Sequence, residues 1–236
     1  MKLTEASLSS SKIGIMYGMA KTRVDIALKS SLNWLKRQTP PYVPPSSYRV
    51  PDTLACKKAL TMARENYPDF ILNHSLRTYA YGLALEHLVK NPVNKEVFFV
   101  GTILHYIGLE LGNESNDSFE LVGAKTARQF AISMKLAHYK ADRIHEMIAQ
   151  QNSFGVTHRK VSEVTLLQMA SKLDLTRLWI KHVNPKTSRE IKHQYPDHGL
   201  QSKMINFLEK QIHETPSSNW AIMKELGFLE KIKHRN

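Results

Sequence analysis

Apolar residues along this chain recur mostly at helical intervals. Between Thr22 and Lys36, Val24, Leu28, Leu32 and Leu35 fall on one face, with Lys29 and Lys36 elsewhere on the wheel. That spacing predicts an amphipathic helix packed on the protein, with a membrane-surface helix as the alternative. Residues 1–20 show no sustained period and read as an arm or short helix. Thr39 to Pro51 holds Pro40, Pro41, Pro44, Pro45 and Pro51, so it reads as an extended connector. From Asp52, which can cap a helix, helices are predicted over about 52–66, 70–89 and 95–106. Asp117-Ser118-Phe119-Glu120 resembles a capping box for a helix reaching Met134. Gly108 and a Gly112-Asn113 turn separate the last two of these. Further helices are expected over 140–151, 160–179, 188–194, 199–213 and 218–226. No segment reads as a convincing strand, and no repeat is visible. The expectation is an all-α protein: arm and connector over 1–47, a helical domain over 48–226 and a basic tail over 227–236.

Composition agrees with helices, because the 236 residues include only 10 glycines and 10 prolines. Charge adds a second feature. Lys+Arg number 33 against 21 Asp+Glu, net +12. Residues 1–50 carry Lys2, Lys12, Lys21, Arg23, Lys29, Lys36, Arg37 and Arg49 against Glu5 and Asp25, which is half of that excess. Such an arm can contact an acidic partner or a membrane surface. No motif for sequence-specific nucleic-acid recognition accompanies it. A single cysteine, Cys56, excludes an intramolecular disulfide. The longest uncharged apolar run, Val97 to Leu109, is 13 residues and too short to span a bilayer. A cytoplasmic protein is expected, with the patch Ile13 to Ala20 as a weak signal-like alternative.

Three polar residues interrupt apolar helix faces: His74, His105 and Asp174. Two imidazoles and a carboxylate from three helices can supply a facial set of metal ligands. The structural alternatives are core histidines bonded to backbone carbonyls, and an Asp174–Arg177 pair one turn apart. Lys172, two residues before Asp174, is expected to face away from it. The other histidines, His182 among them, lie mostly among charged neighbours and read as surface residues.

Taken in order, four motifs resemble the HD-domain metal-dependent hydrolases, and most of all their cyanamide hydratase-like branch. These are His74-Ser75-x-Arg77-x-Tyr79, Leu104-His105-x-Ile107-Gly108-Leu109, Phe119-Glu120-x-x-Gly123-Ala124-x-x-Ala127, and Asp174 before Leu175-Thr176-Arg177. Val50-Pro51-Asp52-Thr53 and Tyr195-Pro196 fit as well. The resemblance covers about 48–213 and leaves out the arm. It implies an HD-like helical bundle in which His74, His105 and Asp174 hold one Zn or Fe ion, braced by Arg77 and Glu120.

Two positions depart from that pattern. Tyr106 stands where the family has a metal-binding aspartate, and a neutral phenol is a poor replacement. Gln151 stands where the branch has an active-site histidine, and glutamine cannot act as a base. Three functions follow as expectations. The first is metal-dependent hydration or hydrolysis of a small polar molecule, with Tyr106 and Gln151 orienting it. The second is an inactive HD-like binding or regulatory protein. The third is a nucleotide phosphohydrolase.

Overall fold

The computed structural model describes residues 12–35, 39–110, 118–152, 161–214 and 219–234. The predicted Gly112-Asn113 turn and Asp117 lie outside them. The described residues are helical with no strand. Lys12–Leu35 forms α1, Leu54–Asn66 α2, Asp69–Ala84 α3, Lys95–Ile103 α4 and Ile107–Glu110 α5. Phe119–Ser133 forms α6, His138–Ala149 α7, Ser162–Thr176 α8 and Pro185–Gln194 α9. Leu200–Glu214 (α10), Asn219–Glu225 (α11) and Phe228–Lys233 (α12) complete the series. None of the described helices is long and apolar enough to cross a membrane.

Local chemistry explains the boundaries that differ from the sequence pattern. Helix α2 is capped by Thr53, whose hydroxyl accepts from the Cys56 amide at 3.2 Å, while Asp52 pairs with Lys57 on the surface. Ser118, not Asp117, is the N-cap of α6, and it makes no side-chain cap bond. The Glu120 that a capping box would turn back is buried instead. The helix predicted through Tyr106 stops at Ile103, turns through residues 104–106 and resumes as α5. At the break, the Thr102 carbonyl is bonded by the His105 ring, Nδ1 to O 2.6 Å, in place of a helical amide.

Helix α3 is central: Ile71, His74, Ser75, Arg77, Thr78, Tyr79 and Tyr81 are all buried. It packs on α8, α4 and α9, while α6 and α7 pair as a helical hairpin and α5 lies on α6. The α5–α6 contact is made by backbone. A Cβ on Gly108 would stand 2.1 Å from the Phe119 carbonyl oxygen and 2.5 Å from the Gly123 amide nitrogen, so only glycine fits.

The proline segment is docked. Val43 exchanges two bonds with the Thr187 hydroxyl, N to Oγ1 2.9 Å and Oγ1 to O 3.1 Å. Asn184 donates to the Pro40 carbonyl at 3.0 Å, and Tyr42 bonds the Glu190 carboxylate. The segment is therefore a strap laid along α9. At the other end of the chain, Phe228, Leu229 and Ile232 of α12 are buried in the core.

Candidate functional site

Helices α3 and α8 and the α4–α5 turn bring His74, Asp174, His105 and Tyr106 together. The His74 and His105 rings are 5.5 Å apart between centroids, and Tyr106 lies 5.6 Å from His74 and 4.3 Å from His105. All four are buried. The sequence-predicted residues therefore converge.

Asp174 is the hub. Its Oδ1 accepts from Arg77 Nε at 2.8 Å, and its Oδ2 from Arg77 Nη2 at 2.9 Å and His74 Nδ1 at 2.7 Å. This is a two-pronged guanidinium–carboxylate pair closed by an imidazole. Burial alone would raise the Asp174 pKa. The Arg77 charge and the His74 hydrogen bond outweigh it and hold the carboxyl well below its usual range. Arg77 in turn donates through Nη1 to the Tyr195 and Pro196 carbonyls, both at 2.8 Å. The partner of Asp174 is thus Arg77 on α3, and the local alternative, Arg177, is not its partner. Arg77 thereby ties α3 to Asp174 on α8 and to the Tyr195–Pro196 backbone. Among the described residues Glu120 has no such ion pair and is held by Asn152, Nδ2 to Oε1 2.7 Å. Its burial pushes its pKa upward, opposed by the Asn152 bond.

His105 is built differently. Its Nδ1 faces a carbonyl oxygen and must carry the proton. Burial first, and His74 second, push its pKa down to about 3, so the ring is neutral. Its Nε2 is buried and has no hydrogen-bond partner among the described residues. Gln151 donates to the His105 backbone carbonyl at 2.9 Å and so clamps the turn. The Tyr106 hydroxyl lies beside Ser171; burial, with the Glu120 and Asp174 charges, raises its pKa further above the phenol range. Tyr106 is a neutral donor here and cannot supply an anionic ligand.

Two buried residues escaped the sequence reading. Lys172 is enclosed, and burial pushes its pKa down to about 7. Helix α8 is covered on nearly every side, so it offers no outward face to receive a lysine. His182, read as a surface residue, is buried against Trp179, their rings 5.6 Å apart. Neither carried a sequence signal: Thr165, Gln168, Ser171 and Asp174 make the stretch around Lys172 read as a mixed helix, and its enclosure shows only in the fold.

These donors differ in their fitness for a metal ion. His105 suits the role, with its Nδ1 anchored to a carbonyl and its Nε2 lone pair available. Asp174 does not, because both oxygens are engaged and Arg77 already neutralises its charge. Among the described residues, no group of three His, Cys, Asp or Glu side chains is arranged to hold an ion. The donor set does not fit a catalytic dication.

No family model and no curated protein matches the chain. The resemblance to HD-domain hydrolases thus rests on the motifs in the sequence, and the function on the geometry above.

Proposed function

We propose that the chain is an HD-like helical protein acting as a binding or regulatory module, in which an internal ion-pair network occupies the place of a catalytic metal centre. The observation that carries this reading is the saturation of Asp174 by Arg77 and His74. With tyrosine at 106, Asp174 is the one carboxylate that touches the paired imidazoles among the described residues, and a cation already holds it. A dication entering there would have to displace a buried guanidinium, at the cost of leaving its charge unpaired.

The test is metal analysis of protein purified without chelator, followed by titration with Zn²⁺ and Fe²⁺. The expected content is below about a tenth of an equivalent, with no uptake on titration. A full equivalent that disappears in His105→Ala would overturn the proposal. That result would favour the second reading, a metal-dependent hydratase or hydrolase of a small polar molecule, for which the buried, unbonded lone pair of His105 Nε2 argues.

A further inference from the structure

Helix α1 has two apolar faces, and among the described residues the fold covers only one. Gly14, Ile15 and Gly18 are buried and Met19, Thr22 and Ile26 half-buried, with Ile15 inserted in the core. Lys12 anchors the start of the helix to Glu225 at 2.7 Å. The opposite face carries Ile13, Met16, Tyr17, Ala20, Val24, Ala27 and Leu28, all exposed. Ile13 is 75% exposed, Val24 56% and Leu28 58%. At about 100° per residue these seven form one stripe roughly 120° wide and about 22 Å long. Val24 and Leu28 were expected to pack on the protein; they face outward instead. Leu32 and Leu35, the rest of that predicted face, lie outside the side chains described.

Cations border the stripe. Lys21 lies over the Tyr17 ring at 5.7 Å, and Arg23 lies on the other side. The C-terminal helix adds Lys231, close enough to Arg23 that burial and the Arg23 charge both depress its pKa. Lys12 is committed to Glu225, whereas among the described residues no ion pair involves Lys21, Arg23 or Lys231. The one acid of the helix, Asp25, falls outside the stripe by its position.

We propose that α1 seats the protein on an anionic lipid surface, its exposed apolar stripe entering the headgroup boundary and Lys21, Arg23 and Lys231 meeting lipid phosphates. A helix with one large apolar face flanked by Lys and Arg lies in the interface plane without crossing it. The charges select lipid over a second copy of the chain: docking two stripes face to face would bring like-charged borders together on a molecule of net charge +12.

Cosedimentation of the full chain with vesicles tests this. Phosphatidylcholine vesicles containing about 30% phosphatidylglycerol should bind the protein at least about tenfold more tightly than phosphatidylcholine alone, and about 0.5 M salt should release it. Val24→Asp with Leu28→Asp should weaken binding about tenfold or more, with unchanged helical circular dichroism, because both side chains are already in water. Lys21→Ala with Arg23→Ala leaves the stripe intact and should weaken binding about tenfold, which keeps the test decisive if the first pair disturbs folding. Absent or lipid-independent binding, or full binding by the Lys21/Arg23 pair, overturns the proposal. So does a dimer in sedimentation velocity that the Val24/Leu28 pair dissolves, which would assign the stripe to a second copy.

Discussion

Arg77 and Asp174 form a pair whose halves need each other. Arg77→Met should cost about 3–5 kcal/mol by chemical denaturation, because it strands a buried carboxylate. Replacing both, Arg77→Met with Asp174→Leu, should recover a large part of that loss. His105 sets the acid side of stability. Its folded pKa of about 3 lies below the ordinary value of 6.5, so the unfolded chain takes up a proton first as pH falls. Stability should be fully present above about pH 6.5 and decline toward pH 3, by a total on the order of 4 kcal/mol. His105→Asn should flatten that decline in melts recorded between pH 7 and 4. Asp174, also depressed, adds a further loss only below about pH 4, where the unfolded carboxyl protonates. His74, His105 and Asp174 were legible as polar interruptions of apolar faces. Their partners were not, because Arg77 and Asp174 are 97 residues apart and local spacing offered only Arg177.

At the scale of elements, the turn after α4 is held by contacts that tolerate little added volume. Gly108→Ala forces a methyl group into the Phe119 carbonyl, and α5 must lift from α6 to admit it. Urea denaturation should show a loss of about 1–3 kcal/mol or more. Thr53→Ala, which removes the cap of α2, should cost only about 1 kcal/mol. Helical periodicity located most elements, since α3, α8 and α10 carry apolar residues over long stretches. It misjudged ends where side chains intervene, as at His105, and it misjudged the direction of α1. A stripe on a helix reports that a face is apolar, and it does not report what covers that face. Because α1 has a second, glycine-lined face carrying Ile15, the fold could bury that one and leave Val24 and Leu28 outside.

For the whole molecule, the binding-module reading predicts indifference to metal. Adding Zn²⁺ to the purified protein should leave its melting temperature unchanged, whereas a site filled at 100 times its dissociation constant would add about 2.7 kcal/mol. The all-α architecture was legible from spacing and from the scarcity of glycine and proline. The docking of the proline strap was not, since an extended segment has no periodicity and its partners on α9 are distant in sequence.

That distance also shapes how the protein is made. Val43 and Thr187, which exchange two hydrogen bonds, are separated by 144 residues. At ribosomal rates of about 5–20 residues per second, the strap is finished roughly 7–30 seconds before its dock exists. During that interval both apolar faces of α1 are without the rest of the fold. Helix α1, whose Lys12 pairs with Glu225, is likewise made well before that partner, and until then it is open to a chaperone or to any surface with an affinity for it.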